Sequence, residues 1–131
     1  MRTVAAVVLI AAGAGVDAHH AISAIYDGGR NVTLDGIVRE FKLVNPHPWV
    51  EVTVVDGAGR DRAWRLEMDN LFELTAIGVT ADTLKPGDRV TVTGSPARDR
   101  SDSLYVRRLD RPADGFRYEQ VGTSPRIRAP R

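Results

Sequence analysis

The residues of this chain with the clearest capacity for chemistry are its three histidines, His19, His20 and His47. Neutral imidazole is the commonest metal ligand, and a donor set made of nitrogen alone suits copper, zinc or nickel. If the mature chain starts at His19, the α-amine and imidazole of that residue form a chelate, with a second imidazole next door. His19, His20 and His47 together then offer three imidazoles and a terminal amine. Copper is the first choice for such a set in an exported protein, with zinc or nickel as alternatives. The plainer reading carries more weight, because short motifs often match by chance. In it, His19-His20 is a frayed terminus and His47 a turn residue bonded to its own backbone.

Other chemistry has less support. Glu51, Glu67 and Asp69 are the carboxylates nearest these histidines in the order of the chain. Strand alternation turns Glu51 and Glu67 outward, toward ion pairs with Arg65 or Lys42, whereas an acid/base pair needs one carboxyl raised by burial. Ser23, Ser95, Ser101, Ser103 and Ser124 lie in no nucleophile-elbow context. Gly57-Ala58-Gly59 is a hairpin turn with no helix after it, so it cradles no phosphate. The chain has no cysteine, which excludes a disulfide, a thiolate ligand, a thiol nucleophile and a lipoprotein anchor. The expectation is a non-enzymatic protein with no catalytic residue.

The start of the chain explains why His19 could be a terminus. Arg2 supplies a short positive segment, and Val4–Ala12 is an apolar run of nine residues, too short to span a bilayer. Val16-Asp17-Ala18 presents the small residues that a signal peptidase reads, so residues 1–18 are expected to be a signal peptide cut after Ala18. Ala12-Gly13-Ala14 is a second possible cut. The first cut leaves 113 residues, 17 basic and 16 acidic, with no membrane span. That places the protein in the periplasm or outside the cell. A charge of +1 and eight aromatic residues in all argue against a nucleic-acid surface.

The elements that must position these groups can be read from periodicity. Residues 19–30 form a leader with little periodicity, ending at Asp27-Gly28-Gly29. Asn31–Leu43 alternates, then changes phase after Gly36, as a long strand does when it bends from one sheet into another. Asn45-Pro46-His47-Pro48 must be a loop, because its prolines remove two donors and fix two φ angles. Trp49 can anchor it by burying much of its ring. Trp49–Val55 and Ala63–Met68 are strands joined by a turn at Asp56–Gly59, with Trp64 among the core residues. Leu71, Leu74 and Ile77 share one helical face, with Asp69 or Asn70 as cap and Gly78 as the stop. Lys85-Pro86-Gly87-Asp88 turns into a strand at Arg89–Ser95. The loop Arg98–Asp102 leads to a last strand at Ser103–Leu109.

Three strands, one short helix and two further strands form the order of an OB-fold. The expectation is therefore a mainly β chain, an OB-like five-stranded barrel with one short helix between strands three and four, over residues 31–111. A mixed α+β roll is the alternative. In an OB-fold the loops here at Asn45–Pro48 and Arg98–Asp102 flank the usual binding face. Residues 112–131 hold prolines, Arg126, Arg128 and Arg131 and are expected to be a flexible basic tail.

Several of these segments, taken in order, resemble a family of exported bacterial proteins known as a domain of unknown function, number 6152 in that series. They are His19-His20, Val32-Thr33-Leu34-x-Gly36, Asn45-Pro46-His47-x-Trp49, Trp64, Glu67 and Leu84-Lys85-Pro86-Gly87-Asp88. Members commonly have Ser-Phe or similar after the paired histidines, where this chain has Ala21-Ile22. The resemblance implies export and a compact β-domain, with no established activity. Two expectations follow from the whole reading. One is a periplasmic protein that buffers or delivers a transition metal bound by His19, His20 and His47. The other is a structural, protein-interaction or small-ligand-binding module without a metal.

Overall fold

The computed structural model describes residues 16–131, and their side chains from Ala21 onward. The elements run α1 (Val16–Ile25), β1 (Val32–Lys42), β2 (Trp49–Val55), β3 (Asp61–Glu67), α2 (Leu71–Ala76), β4 (Arg89–Pro96) and β5 (Ser103–Arg111). A final hairpin follows, made of β6 (Phe116–Val121) and β7 (Ser124–Arg128).

Strand order decides the architecture. Neighbours run β3-β2-β1-β4-β5, all antiparallel, and a short parallel pairing of β3 with β5 through Arg65↔Ser103 to Glu67↔Tyr105 closes the ring. This is the OB-like five-stranded barrel, with α2 between β3 and β4. β1 serves both halves of it. Val32–Ile37 pairs with β4, while Ile37–Lys42 pairs with β2. A bulge between Val38 and Glu40 lets Val38 and then Phe41 turn to the same interior, which is the phase change visible in the sequence. The bulge falls beyond Gly36. That glycine instead marks a close approach: an added Cβ would sit 3.1 Å from the Thr53 carbonyl oxygen and from Val52.

The core follows from alternation. Val38, Val50, Val52, Leu66, Leu104, Val106 and Leu109 are buried inside the barrel, and Trp64 packs against them. The Asn70 side chain accepts from Glu73 N at 2.9 Å and caps α2, while Leu74 is the helix residue buried in the core. Gly87 has φ 94°, the left-handed value that the second central residue of the Lys85–Asp88 turn requires.

Two expectations are corrected. The leader, weakly periodic in sequence, is helical over residues 19–25, within α1. The segment 112–131 is not a loose tail, because β6 pairs with β5 and β7 with β6, and Phe116 and Tyr118 are buried in the main core. The chain therefore has seven strands and two helices among its described residues, five of the strands forming the barrel. β5 makes this possible by dividing one edge: Ser103–Tyr105 pairs with β3, and Arg108–Arg111 with β6. Arg111, only 12% exposed, fastens the junction by donating to Asp88 at 2.7 Å, to Asp114 at 2.8 Å and to the Thr83 carbonyl at 2.7 Å.

Candidate functional site

His47 is held by its neighbours in the chain and in space. The Asn45–Pro46 peptide is cis, and Pro48 is fully buried. The loop lies against the segment that leaves β3: Met68 N donates to the Pro48 carbonyl at 2.8 Å, and Leu71 N to the Pro46 carbonyl at 3.3 Å. The half-buried His47 ring places Nδ1 3.2 Å from the Met68 carbonyl oxygen. A carbonyl oxygen only accepts, so Nδ1 carries the proton and Nε2 of the neutral ring keeps a lone pair. Trp49 is half-buried, with the Arg65 guanidinium 4.3 Å from its ring centroid.

The leader reaches the same end of the barrel. Tyr26, buried between α1 and the barrel, donates its hydroxyl to Glu67 Oε2 at 2.6 Å and lies 3.2 Å from Ser103 Oγ. Burial, and next the bond to Glu67, push this phenol up from 10 to about 12. Backbone bonds add to the docking: Asp27 N donates to the Pro96 carbonyl at 2.9 Å and Arg98 N to the Ile25 carbonyl at 2.9 Å. The leader is thus tied to Arg98 in one of the two loops that flank an OB binding face. Through Glu67 it also meets the chain beside Met68, which holds the other. Glu67 leaves the core as alternation expects, but it is half-buried and accepts the Tyr26 phenol in place of an ion pair with Arg65 or Lys42. Glu51 does form an ion pair, with Arg39 at 3.5 Å rather than with Arg65 or Lys42.

Next to this contact lies a polar cluster that periodicity did not reveal. The Asp69 carboxylate is 4% exposed. It accepts from Asn70 N at 2.7 Å and from Gln120 Nε2 at 2.8 Å. Gln120 Nε2 also donates to the Tyr118 hydroxyl at 2.8 Å. Burial raises the hydroxyls of Tyr105 and Tyr118, and the charge of Asp69 adds to the effect on both. A pocket of about 140 Å³ opens beside the cluster, walled on the other side by Ile22 and Ser23 of α1. In the sequence Asp69 stands out only as a carboxylate near the histidines and a possible cap, and Tyr118 and Gln120 belong to the expected tail. The alternation of Phe116 and Tyr118 was the signal that could have found them.

Of the expected site residues, His47 stands on a fixed loop as described. His19 and His20 belong to α1, but their side chains lie outside the described residues, as do residues 1–15 of the expected signal peptide. Among the described residues no group of three or more His, Asp or Glu side chains is placed to hold a metal ion, and no helix is long and apolar enough to cross a membrane.

Fold and site together define a small closed β-barrel of OB-like topology, with a helical leader docked across one end. A family profile described as "Family of unknown function (DUF6152)" matches residues 6–104, and the chain belongs to that family. The match stops just inside β5, so the β6–β7 hairpin lies beyond it. No curated protein and no solved structure matches the chain.

Proposed function

We propose that this protein is exported, acts without catalysis, and binds a transition metal through His19, His20 and His47, copper before zinc or nickel. Its role in the periplasm is then metal buffering or delivery. One observation carries the reading: the segment after the paired histidines and the loop bearing His47 attach to consecutive residues, Tyr26 to Glu67 and His47 to Met68. The Nδ1 bond to a backbone carbonyl is also the support that metal-binding imidazoles commonly have, and it leaves Nε2 for the ion. Glu51 is paired with Arg39 and Glu67 accepts a phenol, which speaks against an acid/base couple.

The test is a copper titration of protein that begins at His19 after authentic processing, beside its His47→Ala variant. Tight one-to-one binding that weakens about tenfold or more in the variant is the expected result, a difference of roughly 1.4 kcal/mol. Equal affinity in both would reduce the site to a terminal chelate and refute the three-histidine arrangement.

A second reading is a protein-interaction module. It is favoured by Phe72, 81% exposed on α2, the helix whose first residue is bonded to the His47 loop. Capture of a periplasmic partner that is lost in Phe72→Ser but kept without His19 and His20 would support it over the metal reading.

A further inference from the structure

The pocket between α1 and the barrel has a lining suited to one kind of ligand. Its floor holds the buried Asp69 carboxylate, and the Arg107 side chain also lines it. Arg107 donates through Nε to Ser95 Oγ at 3.2 Å, and its guanidinium lies 5.2 Å from the Tyr105 ring centroid. Among the described residues its two terminal nitrogens make no hydrogen bond. One of them is close to Gly28 at the pocket wall, where an added Cβ would lie 3.7 Å from Nη2.

Acceptors are also left over. Gln120 uses Nε2 for Asp69 and Tyr118, both at 2.8 Å, and among the described residues its Oε1 accepts nothing. Tyr105 has only a contact of 3.5 Å with that same Nε2, whose two protons are already used. Its hydroxyl is free to bond a guest. Asp69 Oδ2 accepts one bond and has room for another.

We propose that this pocket binds a small zwitterion of the α-amino-acid type, its ammonium on Asp69, Gln120 Oε1 and the Tyr105 hydroxyl, and its carboxylate on Arg107. The lining carries one charge of each sign, so a ligand with a single charge pairs with one of them and leaves the wall group of its own sign unanswered. A volume of about 140 Å³ restricts the guest to the size of glycine, alanine or serine. Ile22 and Ser23 form part of the wall, so the leader helix completes the site. This inference does not rest on the proposed metal site, and it is tested with metal removed.

The experiment is a titration of the full chain with glycine and with L-alanine in EDTA, followed by calorimetry and by amide chemical shifts. Acetate and methylamine serve as single-charge controls, and Arg107→Gln as the variant. Saturable binding is expected, with shifts at Asp69, Tyr105, Gln120 and Thr123 and an affinity lower by about tenfold or more in the variant and for either control. Absence of saturation up to about 10 mM, a generous limit for so few ligand atoms, would overturn the proposal. So would shifts confined to other residues, equal affinity in the variant, or acetate or methylamine binding as well as glycine. The shift map reads the wild-type chain directly, so the result stands even if the variant folds poorly.

Discussion

The Tyr26 hydroxyl donates to Glu67 Oε2 at 2.6 Å and stands 3.2 Å from Ser103 Oγ. A single phenol therefore joins the residue after α1 to both β3 and β5, at the place where their parallel pairing closes the barrel. The leader is part of the closure rather than an appendage to it. Tyr26 also packs on Tyr105, ring centroids 5.9 Å apart, so the contact has an apolar side as well.

Replacing Tyr26 with Phe keeps the ring and removes the donor, leaving the Glu67 carboxylate half-buried without its phenol. The expected loss is about 1–3 kcal/mol of stability at neutral pH. Urea unfolding of the two proteins measures it. Amide exchange at Asp27, whose N–H is bonded to the Pro96 carbonyl, should speed up in the variant more than exchange at Val50 in the core. A change below about 0.5 kcal/mol would show that the bond is replaced by water at little cost.

All three tyrosines of the chain have raised hydroxyls: Tyr26 to about 12, and Tyr105 and Tyr118 upward as well, each first by burial. The folded value exceeds the unfolded one of about 10, so the stabilisation is complete below pH 10. It is lost as the pH rises from there through the folded values, near 12 for Tyr26. Tyrosinate absorbance should therefore stay low until the alkaline loss of circular dichroism and then rise with it. Tyrosinate forming near pH 10 in a chain that keeps its dichroism would contradict this.

The hairpin at the C-terminal end should be essential to the core. Phe116→Ala is expected to cost about 3–5 kcal/mol, since the ring is buried in the main core and its removal leaves a cavity there. In the wild-type protein, trypsin should leave Arg117 and Arg126 uncut under native conditions, because both lie in paired strands. Rapid native cleavage at Arg117 would restore the flexible-tail expectation.

Gly94 sits in β4 at a shift of register against β5, where a Cβ would collide with the Tyr105 carbonyl oxygen. The obstacle is backbone in a barrel strand and cannot turn aside as a side chain could. Gly94→Ala is expected to cost about 3 kcal/mol, at the upper end for overpacking. Gly57→Ala, in open space in the β2–β3 turn, should cost under about 1 kcal/mol. Comparable thermal midpoints for the two variants would refute the account of Gly94.

The barrel was legible in the sequence because its determinants are local. Alternating valines in Trp49–Val55 bury Val50 and Val52 on one face whatever they pair with. Leu71, Leu74 and Ile77 mark α2 through their spacing, and Pro86-Gly87 its turn through backbone chemistry. The long bent first strand and the order of elements were enough to indicate an OB-like closure, and His47 could be placed on a stiff loop by its two prolines. The segment 112–131 misled because its prolines, glycines and arginines have the composition of a tail. Only the free edge of β5, itself a product of the folded barrel, turns Phe116 and Tyr118 inward. Glu67 misled for a related reason: alternation says that a side chain leaves the core, but it does not say what covers the outside, and here Tyr26 does. The cluster of Asp69, Tyr105, Tyr118 and Gln120 joins residues as much as 51 positions apart. No local pattern encodes such a meeting, because its members become neighbours only after loop closure has brought the strands together. The sequence by itself determined which segments would form the barrel and that His47 stands on a stiff loop between two prolines. Tertiary structure alone decided that the leader helix, the end of β3 and the last hairpin share one polar pocket.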